Sequence, residues 1–331
     1  MSSDLIKKIG PARSIIYINA AALVLSLCWT FVVRLPNLIR CESPFKIDLL
    51  RKSFSRLEKE YKLLGDLKFE PETVIAILIS SYAVASGFAG LAYYLAVYYA
   101  CVFSEEINLS FFARIQDVFI WIFAVAAREY HEKKVGHVSD SPKGPMAERS
   151  DVMTWLGAGM AFTASMFLVT GNEASFFVWL WAWIFILVGA FATNIMRILL
   201  RFEVIGLEEI CVLRHVLTLF FVIPICLFSF PGVDFNHIFN INPNNIDRDT
   251  AYQILSLGFL VAIMFLSRAA LVHRIGVLSY ALLGPASASF TIGADIYTGR
   301  RHWTYWLSWE FDSYKRTVLA LFAGIMIVAI L

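Results

Sequence analysis

The chain has 331 residues, 59% of them hydrophobic and 16% charged, with a mean hydropathy of +0.67, which is more apolar surface than a soluble domain could bury. A formal net charge of +2 is too small to draw it to nucleic acid, and its one basic stretch, near residues 46–68, is interleaved with acids. These features predict an all-α polytopic membrane protein whose first partner is the lipid bilayer.

In chain order, nine apolar runs are long enough to cross about 30 Å of hydrocarbon at roughly 1.5 Å per residue. They cover about 14–33, 72–103, 109–127, 152–170, 175–200, 208–230, 251–272, 275–297 and 314–331. The first follows Lys7, Lys8 and Arg13 and ends on Arg34 with no small-residue cleavage site, so it reads as a retained helix and not a signal peptide.

Residues 41–67, "CESPFKIDLLRKSFSRLEKEYKLLGDL", read differently. Leu50, Phe54, Leu57, Tyr61 and Leu64 recur at helical steps, while Lys52, Arg56, Lys59, Glu60 and Lys62 fill the other faces. This is an amphipathic helix. Each charge near the middle of a lone spanning helix costs roughly 2.5–3.5 kcal/mol, so the segment is expected to lie on the membrane surface or to bury its stripe against a protein partner.

Sliding the chain against itself at an offset of 163 brings "VVR" at Arg34 onto "IMR" at Arg197, and "DLLRKSFSRL" at Arg51 onto "CVLRHVLTLF" at Arg214. Both arginine pairs are 17 residues apart. At an offset of 169, "LSFFARIQ" meets "LSYALLGP". The pattern predicts two inverted five-segment repeats, residues 1–170 and 175–331, made of nine apolar spans and the amphipathic helix. With the 128–151 connection inside, the later inside loops hold nine Lys or Arg against five outside, which places the C-terminus in the cytoplasm.

"LLRKS", "VLRHV", "WIFILVGAFATNIMRILLRF" and "LSYALLGPASASFTIGADIYTGRRHWTYW" together resemble the drug/metabolite transporter superfamily over nearly the whole chain. The resemblance implies a ten-helix inverted-repeat fold, cytoplasmic termini and a central cavity for a small metabolite. It also implies a plasma membrane location, the bacterial inner membrane being the usual case.

Three polar residues interrupt the third run. Asp117 lies about 12 Å below Leu109 at the helical rise, near the midplane, and Arg114 shares its helix face with Gln116 close by. Two readings stay open: a polar element of a substrate site, or a buried structural pair that joins helices. Tyr94 and Asn194 are further candidates for the polar core, Asn194 being of the type that bonds a neighbouring helix backbone. Arg197, Arg214 and His215 are read as snorkelling towards lipid headgroups.

The five cysteines show no C-x-x-C spacing, and His131 and His137 lack partners at ligand spacing, so no metal is expected. Nor does any nucleophile elbow, H-E-x-x-H or phosphate-cradling glycine loop occur, so neither an enzymatic activity nor a cofactor is expected. Two functions follow. One is a secondary transporter of a small polar or amphiphilic metabolite; the other is a non-transporting, transporter-derived subunit that docks a partner through residues 41–67.

Overall fold

The computed structural model describes residues 5, 8–39, 71–102, 115–126, 159, 175–201, 204–229 and 247–297. The described elements are all helical: α1 (Pro11–Ile39), α2 (Pro71–Val102), α3 (Ile115–Ala126), α4 (Phe176–Arg201), α5 (Leu207–Ser229) and α6 (Arg248–Tyr297). Five of them, all but the short α3, are long and apolar enough to cross a membrane. The chain is a helical integral membrane protein. Large side chains left open on α1 and α6, among them Trp29, Phe31, Phe259, Leu260 and Met264, fit a lipid-facing surface and would be a liability in water.

The helix starts are written in the sequence. Pro11 and Pro71 open α1 and α2, where a missing N–H costs nothing. Gly10, at φ +84°, sets the entry to α1, and its carbonyl accepts from the Ser14 hydroxyl at 2.7 Å. Glu208 and Glu209 sit in the first turn of α5, favourable at the positive end of the dipole, and the Gly206 N–H donates to Glu209 at 2.8 Å. Asp247 caps α6 by accepting from the Thr250 N–H at 2.9 Å.

Contacts between the helices fix their directions. Lys8, ahead of α1, donates to Asp247, ahead of α6, at 3.1 Å, and Gly258 lies against Ala21, so α1 and α6 run parallel. Arg34 near the end of α1 pairs with Glu208 and Glu209 at the start of α5, so these two are antiparallel. The partners of α2 divide by direction. Tyr99 stacks on Phe177 and Ile75 meets Ile198, so α2 opposes α4; Tyr82 reaches Ile210 and Gly90 meets Thr218, so α2 runs with α5. Finally α3 runs with α4, through Gln116 to Phe185 and Asn194 to Ile120.

It follows that α1 ends, and α2 begins, at one end of the bundle, here the Arg34 end. The start of α5 and the last turn of α4 lie there too. The opposite, Lys8 end holds the starts of α1, α4 and α6.

Sequence and structure differ in two places. Runs 251–272 and 275–297 form one continuous helix, α6, of 50 residues and about 75 Å. "VHRIG" at 272–276 lowers hydropathy without supplying a turn, and charge alone does not end a helix. Second, α1 and α4 point the same way, whereas an in-plane two-fold that matches Arg34 with Arg197 needs them opposed. Parallel helices are what an odd number of crossings between them produces. The described part of the 109–127 run begins at Ile115. The expected spans 152–170 and 314–331, and the 41–67 stripe of Leu50, Phe54, Leu57, Tyr61 and Leu64, lie outside the described residues.

Candidate functional site

Three glycines let the helices around the polar residues approach closely. In α4, Gly189 has no side chain where Gln116 of α3 crosses it; a Cβ there would collide with the Gln116 amide. The amide instead donates to the Phe185 carbonyl at 3.2 Å. One turn further along α4, Asn194 donates to Ile120 of α3 at 3.0 Å and to Ala190 at 3.1 Å. In α2, Gly87 and Gly90 admit Phe221 and Thr218 of α5. Close approach of α2 to both α4 and α5 leaves α6 to close the remaining side of the bundle.

On that side lie the charges. Asp117 of α3, with 4% of its side chain exposed, faces Arg268 of α6 across 3.6 Å, an ion pair too long for a hydrogen bond. Arg214 of α5 lays its guanidinium 3.6 Å from the centre of the Phe265 ring of α6, and His215 meets the same ring edge-on at 5.4 Å. Tyr280 stands 5.6 Å from Arg268. Between α2, α4, α5 and α6 a cavity with room for about one water molecule is lined by Tyr82, Thr193, Cys211, Arg214, Phe265 and Arg268, among others. No acidic residue lines it among the described residues.

Several buried polar atoms in this region have no hydrogen-bond partner: Gln116 Oε1, Asn194 Oδ1, His215 Nε2, and Nε and Nη2 of Arg268. Buried polar atoms are normally satisfied, so a cluster of open ones beside a cavity is a feature of sites that receive something. What the arrangement can do is hold a polar or charged group away from lipid; no nucleophile–base pair is present among its residues.

Of the residues expected to form the polar core, Gln116, Asp117 and Asn194 are buried, Gln116 and Asn194 between α3 and α4 and Asp117 facing Arg268 of α6. Arg114 lies outside the described residues. Tyr94 is buried elsewhere, on the side of α2 that meets α1, where its hydroxyl pairs with Asn19. Arg214 and His215 correct the headgroup reading, since both turn inward onto Phe265. Arg268, which sequence counting assigns to an inside loop, lies within α6 and pairs with Asp117. A signal for both arginines was present: each lies in a predominantly apolar stretch, "CVLRHVL" and "FLSRAALV", that continues on both sides of it.

The ion pairs at the bundle ends are separate from this site. At the Lys8 end, Asp247 is held down at about 2 by its bonds from the Thr250 hydroxyl and N–H and then by Lys8. No protein-family model matches the chain, and no curated protein matches it in sequence.

Proposed function

We propose that the chain is a secondary transporter that moves a small polar or amphiphilic metabolite through the cavity among α2, α4, α5 and α6. The observation that carries this reading is the placement of Arg214, Arg268 and Asp117 inside a bundle of apolar spans. Ionisable residues at such depth cost several kcal/mol each, roughly 2.5–3.5 on the lenient scale, and persist where they line a substrate or ion path. The resemblance to the drug/metabolite transporter superfamily supports the same reading, while the shared direction of α1 and α4 argues against its inverted-repeat topology.

Charge supports one orientation. Residues 40–70 join two helix ends at the Arg34 end and contain Arg40, Lys46, Arg51, Lys52, Arg56, Lys59, Lys62 and Lys68, whereas residues 230–247, between α5 and the Lys8 end of α6, contain no Lys or Arg. The positive-inside rule makes the Arg34 end cytoplasmic, in a plasma membrane or bacterial inner membrane.

Reconstitution into liposomes, with transport currents recorded over a panel of small carboxylates, phosphate esters and amines, tests the reading. At least one compound is expected to give a saturable current that Asp117→Asn abolishes. Absence of current from every compound, in protein that is correctly inserted, would remove it.

A second reading, the non-transporting subunit docked through residues 41–67, has one observation in its favour: α1 ends where α2 begins, so the charged connection starts and finishes on one face. Purification from native membranes followed by mass spectrometry favours it if one protein co-purifies in stoichiometric amount and is lost when Phe54 and Leu57 become serine.

A further inference from the structure

Arg214 and Arg268 come from different helices and open onto one cavity that holds no acidic residue among its described lining. Against their two positive charges stands Asp117, which is not among the cavity's lining residues and lies 3.6 Å from Nη2 of Arg268. His215 contributes no negative charge in either protonation state. Two like charges at close quarters in a low-dielectric bundle repel strongly, and an anion between them is the direct remedy.

The donors are in place for one. Nε of Arg268 is buried without a hydrogen-bond partner, and Nη2, which also makes no hydrogen bond, faces Asp117 at 3.6 Å. Arg214 rests its face on Phe265, and a stacked guanidinium keeps all five N–H groups in its own plane, so the ring occupies none of them. A planar fork of donors matches the paired oxygens of a carboxylate or phosphate. From these observations we infer that Arg214 and Arg268 together anchor the oxyanion end of an anionic ligand. Room for about one water admits a single oxygen of such a group as the structure stands. Arg214 lies about 10 Å along α5 from its first residue, so the anchor belongs to the half of the bundle nearest the Arg34 end.

This inference rests on the cavity being the ligand site of the proposed transporter, and it names the ligand's charge. The same oxyanion chemistry is offered by a free anion and by a lipid headgroup. Calorimetric titration of the full chain in a phosphate-free maltoside detergent separates the two, with inorganic phosphate in one arm, dihexanoyl phosphatidic acid in the second, and sodium chloride as the ionic-strength control. Saturable binding is expected in at least one of the first two arms and not with chloride. Phosphate binding assigns a free anion; binding of phosphatidic acid alone assigns a headgroup.

Arg214→Gln and Arg268→Gln should each weaken the binding about ten-fold or more, and Arg214→Lys and Arg268→Lys, which keep the charge and lose the fork, should weaken it less. No binding in the unsubstituted protein overturns the inference, as does unchanged affinity in both glutamine variants. Should those variants fail to run as single species, unchanged affinity in both lysine variants has the same force. Binding without any current in liposomes leaves the anchor standing and removes the transporter; current with no response to either anion does the reverse.

Discussion

The α2–α4 interface and the α5–α6 interface are built on opposite principles. The first runs from Ile75 against Ile198 to Tyr99 against Phe177 and is lined largely by Ala, Gly, Ile and aromatic side chains. The second meets sparsely, around Arg214, Phe265 and Arg268, with a cavity beside it. Tight packing by small residues makes a rigid unit, because in lipid close van der Waals contact is the main force between helices. Charges separated by a void hold two helices together without interlocking them. The α2–α4 pair is therefore the frame, and α6, seated on α1 through Gly258 and Ala21, touches that frame only sparsely.

Substitutions can break or sharpen this contrast. The largest effect is expected from Asp117→Asn, which strands Arg268 without its buried counter-charge; loss of one partner of such a pair costs about 3–5 kcal/mol. Adding Arg268→Gln should restore much of the loss, and the fraction of protein surviving as a single species after heating in detergent measures both. Equal loss in the single and double variants would show that the pair does not couple α3 to α6.

On the rigid side, Gly189→Ala places a methyl group against the Gln116 amide and displaces it from the Phe185 carbonyl. A cost of about 1–3 kcal/mol is expected, relieved by Gln116→Ala in the same chain and read from the melting temperature. Phe265→Leu removes the ring beneath Arg214 and should lower stability by about 1–2 kcal/mol while leaving the α2–α4 contacts intact, which cysteine cross-linking of position 75 to 198 can check.

The smallest effect belongs to the exposed Lys8–Asp247 contact. Because the folded state holds Asp247 near 2, below its ordinary 3.8, whatever stability it contributes is complete above pH 4 and disappears as the pH falls through about 2. Asp247→Asn should flatten the stability profile in that window and nowhere else.

Helix identity was legible because apolar run length is a one-dimensional property: α1, α2, α4 and α5 follow their expected runs within a few residues. Helix direction and partnership were not, since they depend on which small residues face one another. Gly189 and Gly90 look alike in sequence, yet one receives Gln116 and the other Thr218. Asp117 was readable as a buried charge, and its expected need for a polar contact is met; that the contact is Arg268, about 150 residues on, was hidden by reading Arg268 as a loop cation. The local i, i+3 pairing with Arg114 falls on a residue outside those described, so Arg268 adds a long-range contact that sequence spacing does not display.

The length of α6 has a mechanical meaning. A helix of about 75 Å exceeds the hydrocarbon thickness more than twice over, and Tyr297 at its far end is 92% exposed. Tyr297 stands about 44 Å along the axis from Arg268. Gly284 and Pro285 lie on this stretch, and an internal proline removes one backbone N–H donor and crowds the carbonyl four residues back, so movement at Arg268 passes to Tyr297 through a joint and not along a stiff rod.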